Sequence, residues 1–389
     1  MQVDYETSLI IDAIEKFGGE IRFVGGCVRD SILQHNTHDI DFATNLLPHQ
    51  VIEALKFYNI KILPIGLKHG TIIAMINKRS FEITTLRYDT RCNGRYAKVE
   101  FTNHWQVDAL RRDFTFNALY ADKNYHIYDY FDGIKDLKEG RLNFIGNAED
   151  RVKEDYLRIL RVFRFHAKIC VEELSDEILN VCKKYSCMIQ SLSGERIRDE
   201  IFRLLECDNQ ISTLKSMQRS DVLQKIIPRE VKCEILSSPL LSGADIIVKL
   251  ALLLRTTKER LSLGEYISKF LRLSKRQKKK LMFLLSNNIG IGISKKEQKK
   301  YISSFGRELY CDLMRICGVE FGVNVDENIS FAKIFDVPKF PLSGDDLIDI
   351  GFQSGKILGS NLELLRQRWE DSSYSLTREE LLLYAKNLV

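Results

Sequence analysis

Residues 22–30, RFVGGCVRD, and 38–44, HDIDFAT, decide how the rest of the chain is read. Ile21-Arg22-Phe23-Val24 is a short apolar strand, Gly25-Gly26 a break, and Cys27 to Leu33 a helix. A glycine pair between strand and helix presents unhindered backbone N–H groups, and Arg29 one turn later adds a fixed cation, which together suit an anion such as phosphate. In a second strand, Ile40 to Ala43, residues two apart point to the same side, so Asp39 and Asp41 present adjacent carboxylates while Ile40 goes to the core. Paired carboxylates suit Mg²⁺, which takes oxygen ligands and commonly shares its site with substrate phosphates. Two such ions activate an attacking hydroxyl and stabilise a leaving pyrophosphate. An isolated Asp-x-Asp is common turn decoration; next to a phosphate-binding turn it points to a bound nucleoside triphosphate.

Around this core the first third reads as mixed α/β. A helix through Leu9, Ile10, Ala13, Ile14 and Phe17 comes first, and further strands are expected at Thr71 to Ile76 and Phe81 to Leu86. Arg87 to Trp105 reads as a loop or weak hairpin. From about Asn147 the pattern is helical almost throughout, and RVKEDYLRILRVFRFHAKI places Val152, Tyr156, Ile159, Leu160, Phe163 and Ile169 at helix spacing. Only six prolines occur, none between Pro64 and Pro228, so helices can run unbroken through the middle. The expected fold class is α+β, a small mixed-sheet head (1–145), a helical neck (146–205) and a helical body and tail (206–389).

Composition narrows the function. With 389 residues, 44% hydrophobic and 29% charged, the chain is long enough for two or three domains and shows no membrane-length apolar run. The N-terminus lacks the pattern of a signal peptide, so the nine cysteines are expected as reduced thiols in the cytoplasm. The net charge of +5 is unevenly spread, −1 over residues 1–145 and +6 over 146–389. The basic clusters Lys275-Arg276-Gln277-Lys278-Lys279-Lys280 and Lys295-Lys296-Glu297-Gln298-Lys299-Lys300 suit RNA phosphates, although one such run is more often a solvated helix face. The candidate RNA contacts are Lys275, Arg276, Lys278, Lys279 and Lys280.

The two opening segments resemble the signature of the polymerase β-type nucleotidyltransferase superfamily, specifically the class II tRNA nucleotidyltransferases and bacterial poly(A) polymerases. Four further blocks follow in that family's order: Leu110-Arg111-Arg112-Asp113-Phe114-Thr115-Phe116-Asn117-Ala118, Gly133-Ile134-Lys135-Asp136-Leu137, Glu154-Asp155-Tyr156-Leu157-Arg158-Ile159-Leu160-Arg161, and Glu195-Arg196-Ile197-Arg198-Asp199-Glu200. The resemblance implies that Asp39 and Asp41 hold two Mg²⁺, that Gly25, Gly26 and Arg29 take the triphosphate, and that Arg112, Asp113 and Asn117 take sugar and phosphate. Arg111 is either part of that group or surface charge. Glu82 is either a third carboxylate beside the pair or a solvated strand residue.

Asp155 and Arg158 are three apart and, on one helix, would hold each other as an ion pair. Their free edges offer an acceptor beside donors, which fits the amino group and adjacent ring nitrogen of cytosine and adenine and mismatches uracil and guanine. Arg161 and Arg164 continue the series and face phosphate or RNA. Asn93-Gly94-Arg95-Tyr96 is similar to the loop of the family's CCA-adding members, with Asn93 where Asp is usual. The expected activity is therefore template-independent addition of CCA to the tRNA 3′ end from CTP and ATP, with A addition, poly(A) synthesis or non-catalytic RNA binding as alternatives. All seven histidines lie at or before His166, so the later half cannot build the histidine-rich metal site of a phosphohydrolase.

Overall fold

In the computed structural model, residues 3–35, 39–63, 66–93 and 96–388 are described. His38, Gly94 and Arg95 lie outside them. The chain forms two compact units, Met1–Arg229 with Phe270–Arg272, and Glu230–Lys269 with Leu273–Val389.

The first unit opens with α1 (Tyr5–Lys16), β1 (Ile21–Val24), α2 (Gly26–Ile32), β2 (Ile40–Thr44), α3 (Pro48–Phe57), β3 (Lys61–Leu63), β4 (Thr71–Ile76) and β5 (Arg79–Thr85). The hairpin β6 (Arg87–Asn93) and β7 (Tyr96–Phe101) stands as a separate two-stranded sheet, followed by α4 (Trp105–Leu110), β8 (Tyr120–Ala121), β9 (Ile127–Tyr128) and α5 (Gly133–Glu139). The main sheet has the order β3-β4-β5-β2-β1-β8-β9, antiparallel except where β2 runs parallel to β5. Ile10, Ile14, Phe23, Phe42, Leu55, Ile72, Phe81 and Ile83 join α1, α3 and the sheet in one buried cluster. That packing makes β2 a rigid platform for the carboxylates at its start.

Helices α6 (Ala148–Glu154), α7 (Leu157–Ile169), α8 (Asp176–Lys184), α9 (Gly194–Leu205), α10 (Gln210–Arg219) and α11 (Val222–Ile226) complete this unit. Helices α7 and α9 pack together, and α10, grouped with the body in the sequence reading, packs against α7. The uninterrupted helix expected across 151–169 is broken at Asp155. There the backbone is extended (φ −152°, ψ 109°) and the carboxylate accepts from the Leu157 N–H at 3.1 Å, so it starts a new helix instead of continuing the old one.

Every labelled element of the second unit is helical: α12 (Ile246–Arg255), α13 (Arg260–Phe270), α14 (Lys275–Ser286), α15 (Lys295–Phe305), α16 (Arg307–Phe321), α17 (Asp326–Ile334), α18 (Gly344–Ile348), α19 (Lys356–Asp371) and α20 (Arg378–Lys386). Leu347, Leu365, Trp369, Leu381 and Ala385 form a separate small core at its C-terminal end. No helix among the described residues is long and apolar enough to cross a membrane.

Candidate active site

A cleft of about 930 Å³ opens between the head sheet and helices α7 and α9 of the first unit. It is lined by Gly25, Gly26, Arg29, Asp39, Asp41, Arg111, Arg112, Asp113, Asn117, Asp155, Arg158, Arg161 and Arg164, so residues spread over 140 positions of sequence meet in one place. Glu82 is not among the lining residues. It sits in register with Asp41 on the parallel neighbour β5, where in-register side chains lie on the same side of the sheet about 5 Å apart.

At the head side, Gly25 has φ +68° and donates to the Leu119 carbonyl at 3.0 Å. That left-handed backbone favours glycine, and a Cβ there would stand 3.6 Å from Arg112 Nη1. Arg29 is 5% exposed and reaches across the turn, its Nη1 donating to Asn117 Oδ1 at 2.6 Å. Asn117 Nδ2 donates in turn to Asp113 Oδ1 at 3.0 Å, and Arg161 Nε donates to Asp113 Oδ2 at 2.5 Å. One hydrogen-bonded series thus runs from the glycine turn to the middle of α7. The guanidinium of Arg161 and its hydrogen bonds hold Asp113 at about 2 against the opposing cost of its burial.

Asp41 is pushed from 3.8 to about 6, first by burial, then by the Glu82 carboxylate, with Asp39 adding to it and Arg112 opposing. A carboxylate pair short of counter-charge fits a divalent cation. Among the described residues no group of three or more His, Cys, Asp or Glu is gathered to hold a metal, so an ion at Asp39 and Asp41 would take its remaining ligands from water and substrate.

The expected Asp155–Arg158 ion pair is not formed. Arg158 instead bonds Glu154 at 2.5 Å and the carbonyls of Arg151 and Arg111, while Asp155 is held by Arg196 of α9 at 2.6 Å. The cause is the break at Asp155: the two residues do not share a continuous helix, so three-residue spacing does not align them. Arg164, 8% exposed, is paired with Glu200 of α9 at 2.5 Å. Arg111 is not surface charge, because Asp108, only 1% exposed, holds it at 2.8 Å and Arg112 at 3.0 Å. Asp108 also accepts from the Tyr120 hydroxyl at 2.7 Å and from the backbone N–H of Arg87, where the hairpin begins, at 3.2 Å.

Asp108, Lys168 and Arg203 were not among the expected site residues, and Arg196 was named only within its sequence block, without a role. Asp108 stands three and four residues ahead of Arg111 and Arg112, a helix spacing that points to it; Lys168 prolongs the Arg158, Arg161, Arg164 series on α7. In the second unit, Lys275, Arg276 and Lys279 are exposed, Arg276 standing 3.6 Å from Glu308, and Lys278 is paired with Glu265 at 2.6 Å. Lys280 does not face solvent: 10% exposed, it is enclosed by Asp312 (2.7 Å), Glu308 (2.9 Å) and Asp245 (3.3 Å). Its position on α14 turns it toward α16 with the apolar stripe, so it serves the fold of that unit.

The mixed-sheet head, the glycine turn and the paired carboxylates define a nucleotidyltransferase of the polymerase β type. The Poly A polymerase head domain family matches residues 21–143, and the family described as probable RNA and SrmB-binding site of polymerase A matches 173–231. The mitochondrial CCA tRNA nucleotidyltransferase 1 of Mus musculus is 33% identical over 402 residues, covering 97% of this chain and 89% of that protein. The CCA-adding enzyme of Oceanobacillus iheyensis is 40% identical over 205 residues, 52% of this chain and 50% of its own. The fold is shared with the crystal structure of the Bacillus stearothermophilus CCA-adding enzyme in complex with CTP, at a TM-score of 0.83, 22% identity and coverage of 100% and 98%. The chain belongs to the CCA tRNA nucleotidyltransferase family.

Proposed function

We propose that this enzyme adds C, C and A to the 3′ end of tRNA from CTP and ATP without a nucleic-acid template, releasing pyrophosphate. The observation that carries this reading is the meeting, in one cleft, of the uncompensated carboxylates Asp39 and Asp41 with the Asp155, Arg158 and Arg196 cluster. The first pair supplies the chemistry and the second set the selection of the base.

The head would be catalytic, α6 to α9 would read the base, and the second unit would hold the tRNA acceptor arm through Lys275, Arg276 and Lys279. Two Mg²⁺ held by Asp39 and Asp41 would neutralise charge on the attacking RNA hydroxyl and the departing pyrophosphate. Glu82 acts beside them by raising the negative potential at Asp41. Gly25, Gly26 and Arg29 orient the triphosphate, and Arg111, Arg112, Asp113 and Asn117 hold the sugar and α-phosphate in line with the 3′-hydroxyl. Arg196 holds Asp155 in place; a carboxylate has about four acceptor positions, so it still accepts from the amino group of cytosine or adenine. Arg158 donates to the ring nitrogen. Uracil and guanine would leave these partly buried groups unmatched, at roughly 1–3 kcal/mol each. Cys27, Cys170, Cys182, Cys187, Cys207, Cys233, Cys311 and Cys317 are free thiols, which supports a reducing compartment such as the cytoplasm.

The test is incubation of tRNA lacking its 3′-terminal CCA with labelled CTP and ATP, separately and together. CTP incorporation followed by a single A supports the reading. ATP incorporation restricted to tRNA ending in CC would make it an A-adding enzyme, and long A tails a poly(A) polymerase.

A further inference from the structure

Helix α9 works on two faces. Arg196 and Arg203 line the cleft, and Glu200 between them holds Arg164; their spacings of four and three put all three on one side of the helix. Gly194, Glu195 and Arg198 fall on the opposite side and are not among the residues that line the cleft. What they meet is Phe270–Arg272, the end of α13 and the two residues after it, which belong to the first unit although the chain before and after them belongs to the second. The Nε and Nη2 of Arg198 donate to Asp199 at 3.0 and 2.8 Å, which aims its Nη1 at the Arg272 carbonyl, 3.2 Å away. Arg272 Nη1 donates back to Glu195 at 2.9 Å. Arg272 has φ +49°, a left-handed backbone that a residue with a side chain keeps only where its surroundings fix it. Gly194 is buried, and a Cβ on it would stand 2.1 Å from the Phe270 carbonyl oxygen and 3.1 Å from Arg272 Cγ, so the segment abuts the first turn of α9 without slack. The N-cap residue of that turn, Ser193, makes no capping bond through its side chain, and a carbonyl at the positive end of the helix is favourable.

We propose that Arg198 and Gly194 are positioning residues for the choice of base: by seating α9 on the Phe270–Arg272 segment they fix where Arg196 holds Asp155. The inference rests on the reading of Asp155 as the acceptor for the base amino group. Neither residue touches the nucleotide, and their effect passes through a single helical turn, in which Arg196 is two residues from each of them. Asp155 lies at the break before α7, where Oδ1 accepts from the Leu157 N–H and Oδ2 from Arg196, so the direction in which Oδ2 is presented is set from α9. Hydrogen bonds weaken steeply as they bend, and a turned carboxylate loses its preference for an amino group over a carbonyl oxygen.

Steady-state incorporation of CTP and of UTP by the full chain, on tRNA lacking its 3′-terminal CCA, tests this. Arg198→Met keeps a long side chain but removes its donors, and should narrow the CTP-over-UTP ratio of kcat/KM about 3- to 10-fold with the KM for tRNA unchanged. Arg198→Lys, which can still donate to the carbonyl, should stay close to wild type. Gly194→Ala favours helix in α9 and displaces the segment instead, and should narrow the ratio at least as much. Each variant is assayed below its thermal unfolding transition. An unchanged ratio in both Arg198→Met and Gly194→Ala, or kcat/KM lowered equally for CTP and UTP, overturns the positioning role and leaves the reading of Asp155 in place. A raised KM for tRNA with an unchanged ratio overturns it in favour of an RNA contact. A wild-type chain that does not prefer CTP to UTP overturns the reading of Asp155 together with it.

Discussion

Replacing Asp41 by Asn should make the metal-free protein more stable at neutral pH while abolishing transfer. The Asp41 carboxyl is pushed from 3.8 to about 6 by burial, Glu82 and Asp39. At about 1.4 kcal/mol for each tenfold change in acidity, keeping it ionised costs the folded chain on the order of 3 kcal/mol. Because its affinity for a proton is higher folded than unfolded, its favourable contribution is complete below pH 3.8 and lost as pH rises through about 6. Asn occupies the same volume without the charge, so the variant should gain up to about 3 kcal/mol above pH 6.5, equivalent to roughly 5–10 °C in the unfolding of a unit this size. At pH 4.5 the gain should shrink to about 1 kcal/mol, and well below pH 3.8 it should vanish. Calorimetry in EDTA at pH 7.5 and 4.5 measures both, and added Mg²⁺ should raise the transition of the wild type but not of Asp41→Asn. A variant less stable than wild type at pH 7.5, or one with the same gain at both pH values, would refute the claim that the pair is short of counter-charge.

Four other variants have expected outcomes. Asp155→Asn loses both the anionic acceptor and its bond to Arg196, and should narrow discrimination of CTP over UTP by about 10- to 100-fold, read as the ratio of kcat/KM values. Asp108→Asn leaves Arg111 and Arg112 sharing a buried neutral group, and should cost about 2–4 kcal/mol in urea unfolding with a raised KM for both nucleotides. Lys280→Met should destabilise the second unit by about 2 kcal/mol or more, since buried Asp312 loses its nearer cation and keeps only Arg315 at 3.7 Å. Its tRNA affinity under conditions where it remains folded should match wild type, whereas that of Lys275→Ala combined with Arg276→Ala should fall and lose part of its salt dependence.

Strands β1, β2, β4 and β5 were legible because each is a run of β-branched and aromatic residues next to turn signals, and they carry the glycine turn and both carboxylates. Strands β8 and β9, two residues each, have no period to detect and exist only because β1 offers an edge. Apolar spacing is blind to the break at Asp155, since Val152, Ile159, Leu160 and Phe163 stay buried on either side of it. The break is made by one side chain turning back on its own backbone, and it reassigns the partners of both Asp155 and Arg158. Ion-pair partners follow three-dimensional neighbours: the motif supplied the right residues for the cleft, while Arg196 and Glu200 on α9 decide how they are held. Likewise a basic run names Lys280 without showing that its helix turns it inward.

The account rests on one cleft both performing transfer and choosing C and A. Sequencing the 3′ ends made on tRNA lacking CCA, with all four nucleoside triphosphates present, measures both at once. The account predicts tails of CCA that stop after three residues, and none with Asp41→Ala. Uridine or guanosine in the tails, runs of A, or extension that survives Asp41→Ala would contradict it.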